Sequence, residues 1–239
     1  MSINRIQFLE SVERTEILPS AYAEDVLVRL AHNSTAIEGN TLTLSDTVTL
    51  LVDQITPAAG IQLREVYEVE NHRGAIAYLL EAIADEKPLT TGLARDIHYQ
   101  LMDHLVFDRG AFKTSSNIIL GASWEPAPPS RVPNLMMEWA DQTEWQTANL
   151  DDQALLEAIA ASHIRFEKIH PFSDGNGRTG RALIAYQTIR RFGFPAIISV
   201  SDKSKYIKIL DAEDAPSLAA MMAESLAFEA DRLDSLSAT

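Results

Sequence analysis

The sequence contains no cysteine. That excludes disulfides, zinc–thiolate centres and thiol nucleophiles, and it makes a reducing, cytoplasmic compartment the simplest expectation. Lysine and arginine are scarce beside aspartate and glutamate, 20 against 34, for a formal charge of −14. A field of that sign repels nucleic-acid phosphates and anionic lipid, so neither partner is expected, and any nucleotide site must bring its own cations. No apolar run approaches the roughly 20 residues of a membrane span. The opening stretch, MSINRIQFLESVERTE, is broken by charges, so no signal-peptide core is expected there. Glycine and proline, ten each, are too few for a low-complexity chain, and no repeat or Gly/Ser-rich linker interrupts it. The remainder, 239 residues with 46% apolar and 23% charged, is near the globular average and long enough for a sizeable core.

Nearly every long segment has helical periodicity. Helices are expected over about 3–14, from Pro19 and Ser20 to a C-cap at Gly39, from Ser45 to about Gln54, and over about 61–85. In the last of these, Leu63, Val66, Tyr67, Tyr78 and Leu79 are candidate core contacts. Thr90 or Thr91 can cap another helix through about His104. Residues 107–133 differ: Gly110, Gly121 and prolines 126, 128, 129 and 133 break the pattern, and the strand-like SNIIL suggests a small β-hairpin. Helix resumes over about 132–145, 152–168, 176–192, 203–213 and 217–236. The segments 152–168 and 176–192 are apolar almost all round and so belong in the middle of the domain. The expectation is one all-α domain with a single small hairpin, and a short polar loop between its two most buried helices.

That loop, residues 170–181, reads HPFSDGNGRTGR. Gly175 and Gly177 flank Asn176 at a helix start. Glycines let backbone N–H groups approach a ligand, and the helix dipole favours an anion there. Arg178 and Arg181 are unfavourable for that dipole unless a polyphosphate lies between them. Asp174 would be repelled by the phosphates unless Mg²⁺ bridged the two. His170 is placed to act as a general base, and Phe172 to anchor the loop in the core.

The segment resembles, at every fixed position, the Fic family signature H-x-F-x-[D/E]-G-N-G-R-x-x-R. The resemblance extends to Gly110 through Lys113, the SNIIL strand, Pro128, Pro129, Val132 and Pro133, and to Tyr206 on a later helix. It implies Mg²⁺-dependent transfer of AMP from ATP to a Ser, Thr or Tyr hydroxyl of a target protein, with the protein itself among the targets. His170 would take the hydroxyl proton and Asp174 would hold Mg²⁺. Gly175, Asn176 and Gly177 would form the anion nest, with Arg178 and Arg181 on the β- and γ-phosphates. Tyr206 would line the base or ribose. Ile118, Ile119, Leu120 and Gly121 would dock the target as an added strand.

A second segment, Ser34 through Glu38 and Gly39, ends the second helix. By itself it reads as a solvated glutamate before a C-cap glycine. It also resembles the inhibitory motif [S/T]-x-x-x-E-[G/N] of self-inhibited Fic proteins. The resemblance implies that residues 1–60, with an inhibitory helix over about 20–39, pack on a catalytic core of 61–239, and that Glu38 competes with the γ-phosphate for Arg181. Removal of AMP from a target, alone or as a second activity, and a nucleotide-binding regulator or toxin component with negligible turnover remain as alternatives. A homo-oligomer is left open. The spacing of His163, Glu167 and His170 lacks a third independent zinc ligand.

Overall fold

The computed structural model describes residues 3–57, 60–117 and 124–237. Among them are ten α-helices and no strand. The expected flap residues, Ile118 to Gly121, lie outside the described residues. The helices are α1 (Arg5–Thr15), α2 (Ser20–Glu38), α3 (Leu44–Leu51), α4 (Leu63–Ala84), α5 (Thr91–Leu101), α6 (Val132–Asn149), α7 (Asp152–Ile169), α8 (Asn176–Phe192), α9 (Lys203–Ala212) and α10 (Ala215–Ser237).

The boundaries follow local chemistry. Gly39 ends α2 in the left-handed conformation, φ 103°, which glycine adopts without strain. Thr43, not Ser45, caps α3: its hydroxyl accepts from the Asp46 N–H, and the Asp46 carboxylate returns a bond to the Thr43 N–H. Helix α5 stops at Leu101 rather than near His104, because the Asn71 side-chain amide donates to the carbonyls of Leu101 and Asp103.

Helix α7 is central, packed against α6, α8 and α10. Trp139 of α6 is buried and donates from Nε1 to the Ser162 carbonyl of α7 at 2.9 Å. One apolar cluster joins α1–α6 to one face of α8, and a second joins the far side of α7 to α8, α9 and α10. Leu63, expected in the core, is 66% exposed, since it opens α4 ahead of the packed turns. The buried face of α4 is instead partly polar, with Glu68, Asn71, His72 and Arg73 inside. Each has a partner there: Glu68 meets Arg178, Asn71 bonds the carbonyls of Leu101 and Asp103, His72 the Glu68 carbonyl, and Arg73 the Leu51 carbonyl.

Helix α2 lies across α8 and α4. Its N-terminal half is tied to α10 by ions: Tyr22 Oη donates to Glu229 at 2.7 Å, Arg29 bridges Glu229 and Asp25, and Arg232 donates to Asp25. Beyond its C-terminus, Asn40 donates to the Glu65 carbonyl and the Glu68 carboxylate, both at 3.0 Å. With both ends fixed, α2 has little freedom to slide along α8. No helix among the described residues is long and apolar enough to cross a membrane.

Candidate functional site

The α7–α8 loop begins with His170, which caps α7 in a left-handed backbone, φ 50°. For a residue with a side chain this costs about 1 kcal/mol or more, and it turns the chain sharply out of the helix. His170 Nδ1 lies 3.3 Å from the Glu167 carbonyl. A carbonyl only accepts, so Nδ1 carries the hydrogen and Nε2 is left with a free lone pair. Burial, and then the nearby Lys113 ammonium, push His170 down to about 4. The ring is neutral at pH 7 and able to take a proton.

Phe172 is fully buried, as expected, and stacks on the His98 ring at 3.8 Å. The Asn176 side chain closes the loop reciprocally, accepting from the Phe172 N–H and donating to the Phe172 carbonyl, both at 2.9 Å. His98 accepts from the Gly110 N–H at Nδ1, so its Nε2–H donates to the Asp174 carbonyl at 3.0 Å. These bonds tie the loop to itself and to α5. Gly175 takes φ 76° at the start of α8, and the first helical bond runs from the Thr179 N–H to the Gly175 carbonyl. The amides of Asn176, Gly177 and Arg178 precede it and have no helical partner, which makes a nest for an anion.

The cations of α8 converge on the same end. Arg178, 3% exposed at its side chain, lies 3.3 Å from Asp174 and 3.4 Å from Glu68. Its Nε and Nη1 are buried without a hydrogen-bond acceptor, and a phosphate would satisfy such stranded donors. Arg181 is engaged by α2. Its Nε donates to Ser34 Oγ at 3.0 Å, and its Nη2 to the Ser34 carbonyl at 2.8 Å and to Glu38 Oε1 at 2.6 Å. Glu38 Oε1 also overhangs Gly177 so closely that a Cβ there would collide with it. Burial favours the neutral acid of Glu38, but Arg181, with Arg178 behind it, holds the carboxyl below the ordinary range. Thus a carboxylate already stands over the start of α8, paired with the second of its two arginines.

Asp174 is half-exposed, and its Oδ2 accepts from Arg64 at 2.6 Å. Arg178 and Arg64 outweigh its burial and keep it ionised. Among the described residues no three His, Asp or Glu side chains gather to hold a metal. A cation here would have one protein carboxylate and take its other ligands from phosphates and water, which suits Mg²⁺. Tyr206 is buried beneath the site, its hydroxyl 2.6 Å from His163 Nε2. The sequence singles out neither Arg64 nor Glu68, and it offers His98 only as a structural helix residue and Asn117 only as part of SNIIL. All four lie far from residues 170–181 along the chain.

The neutral imidazoles have a measurable consequence. Burial depresses His72 and His163 to about 3, and His98 and His170 to about 4. The unfolded chain takes up these protons near pH 6.5 while the folded protein refuses them, so stability falls as pH drops from about 6.5 toward 4. Each such imidazole contributes at most about 1.4 kcal/mol per pH unit. Glu167, raised to about 8 by burial, opposes this with stability that is present at low pH and lost as pH rises toward 8. Urea midpoints should therefore fall from pH 6.5 to pH 4.5. A flat profile would show that the imidazoles are not held neutral.

Residues 88–188 match the Fic/DOC family. The chain is 30% identical over 185 residues to a protein from Nematostella vectensis named Protein adenylyltransferase Fic, covering 75% of this chain and 42% of that protein. It is 27% identical over 183 residues to the protein of that name from Drosophila erecta, covering 75% of this chain and 35% of that protein. The chain thus spans less than half the length of these relatives. Its fold is shared with a Fic domain-containing signaling protein from Bacteroides thetaiotaomicron, at a TM-score of 0.78 and 24% identity over 98% of this chain and 97% of that one.

Proposed function

Because this chain carries a Fic domain over residues 88–188, and so belongs to the Fic/DOC family, we propose that its cleft transfers AMP from ATP to a protein hydroxyl and is restrained by Glu38. The observation that carries the reading is the arrangement of the 170–181 loop. A neutral imidazole with a free Nε2 stands at one end, and a cationic, amide-lined nest at the other. A Ser, Thr or Tyr hydroxyl gives its proton to His170 Nε2 as its oxygen attacks the α-phosphorus. The new O–P bond forms as the bond to the β-phosphate oxygen breaks, and pyrophosphate leaves. Arg178, Arg181 and the free amides neutralise its charge, so positioning and electrostatics supply most of the rate. Mg²⁺, held by Asp174, would neutralise further charge on the phosphates. Tyr206, through His163, braces the floor of the nucleotide pocket.

The restraint follows from donor geometry. With Nε–H and both Nη2 hydrogens of Arg181 committed to Ser34 and Glu38, only Nη1 remains for a γ-phosphate. A nucleotide entering this state cannot seat its terminal phosphate fully, and its α-phosphorus is misaligned for attack.

Two labels test the reading. With Mg²⁺ and the Glu38→Gly variant, label on the α-phosphate of ATP should become protein-bound, and label on the γ-phosphate should not. Asp174→Asn should raise the Mg²⁺ concentration needed for half-maximal transfer about tenfold or more, because one ligand charge is lost. Protein-bound γ-label would make the enzyme a phosphotransferase instead. Insensitivity to both Mg²⁺ and the Asp174 change would remove the metal from the site.

A further inference from the structure

Among the described residues the buried guanidinium groups each face a carboxylate. Arg73 has Glu70 at 3.3 Å, Arg178 has Asp174 at 3.3 Å and Glu68 at 3.4 Å, and Arg181 has Glu38 at 2.6 Å. Lys113 does not. It is 4% exposed, and no acidic side chain among the described residues pairs with it. Its Nζ donates to the neutral Oδ1 of Asn117 at 2.7 Å, which leaves two of the three ammonium hydrogens without an acceptor there. In a chain with 34 acidic against 20 basic side chains, an uncompensated buried ammonium is a costly exception. Burial alone pushes it down to about 8, so at pH 7 it remains mostly charged.

Its location gives the charge a use. The Lys113 N–H donates to the Pro171 carbonyl at 2.8 Å, and Asn117 Nδ2 to the Phe172 carbonyl at 3.0 Å. Residues 113–117 therefore run beside the start of the catalytic loop, and the ammonium is near enough to His170 to lower its basicity. Arg178 and Arg181 project from α8, which follows the loop. A triphosphate whose β- and γ-groups lie at that end runs back along the loop toward His170, the side on which Lys113 lies.

We infer that Lys113 is an anion-binding residue for the α-phosphate, contacting a non-bridging oxygen that gains charge as the hydroxyl attacks. The inference rests on the AMP-transfer reading above. Lys113 makes and breaks no bond and moves no proton. It completes a set of cations that covers the triphosphate at both ends, where α8 alone would cover only the leaving pyrophosphate.

The test compares Lys113→Met, Lys113→Arg and Asn117→Ala in the Glu38→Gly protein. Lys113→Met should lower kcat about 100-fold, as loss of a charge-stabilising donor does, with KM for ATP raised by no more than about tenfold. Lys113→Arg should recover at least about tenfold of the loss. AMP, whose one phosphate is the α-phosphate, should bind Lys113→Met about tenfold more weakly, and adenosine should bind it equally well. The melting temperature should hold or rise, because the uncompensated buried charge is gone. A structural lysine behaves otherwise. Lys113→Met would then melt lower, AMP and adenosine would weaken together or not at all, and Asn117→Ala would reproduce the rate loss; any of these results overturns the inference. If the Glu38→Gly parent transfers no AMP, the functional reading fails on its own, and the AMP–adenosine comparison still decides whether Lys113 holds a phosphate.

Discussion

Replacing Glu38 by glycine should raise AMP transfer, including transfer onto the protein itself, by about 10- to 100-fold, the usual size of a coupling between two competing ligands. The mechanism is a competition for one guanidinium. Arg181 is 5% exposed and, among the described residues, its side chain pairs with one carboxylate, Glu38 at 2.6 Å. Removing that partner strands a buried charge. Such losses reach about 3–5 kcal/mol when both ions are buried. Glu38 is 38% exposed, so the cost here belongs below that range. The nucleotide-free variant should melt at a lower temperature and regain much of the difference with Mg²⁺–ATP, through linkage to ligand binding. Glycine also costs about 1 kcal/mol of helix propensity. Glu38→Ala separates the charge effect from the backbone effect and should activate equally. In Arg181→Ala the object of the competition is gone, so adding Glu38→Gly should no longer activate. If Glu38→Gly changes neither rate nor ATP-dependent stabilisation, residues 34–39 are only a helix end.

The residues that do chemistry could be read from the sequence because they are contiguous. One loop supplies a base, a carboxylate, a nest and two arginines, and glycine marks both ends of α8, with Gly175 at φ 76° and Gly193 at φ 84°. The residues that hold the loop could not be read so directly. Arg64 reaches Asp174 across 110 positions, and His98 reaches its carbonyl across 76. Helical periodicity reports an apolar face, so it cannot show that α4 turns Glu68, Asn71, His72 and Arg73 inward. It also placed Leu63 in a core that starts a turn later. The pairing of Glu38 with Arg181 spans 143 positions and was available only through the resemblance of two motifs. Lys113 gave no signal beyond its place in a Gly110–Lys113 pattern, because burial without a counter-ion is a property of three dimensions.

His170→Ala should lower transfer in the Glu38→Gly protein by about 10²–10⁴-fold, the usual contribution of a positioned general base, and leave nucleotide affinity within a few-fold. The division follows from geometry. The groups for the β- and γ-phosphates lie at the start of α8, whereas His170 sits at the other end of the loop and offers a lone pair, not a charge, to the pocket. Its neutrality also sets the pH profile. A base active when unprotonated, with its imidazole depressed to about 4, should keep transfer level from pH 7 down to about 5. An ordinary histidine would give a fall near 6.5. Lys113→Met removes one cause of the depression, so any acid limb should move upward in that variant and not downward. The fold itself weakens over the same acid range, so rates must be taken where the melting temperature still exceeds that of the assay. A loss of nucleotide affinity in His170→Ala as large as the loss of rate would mean that the imidazole binds phosphate. A fall in transfer centred near pH 6.5 in a still-folded protein would mean that the ring is exposed and charged, and the Nδ1 contact to Glu167 would no longer be enough to fix Nε2 as the base.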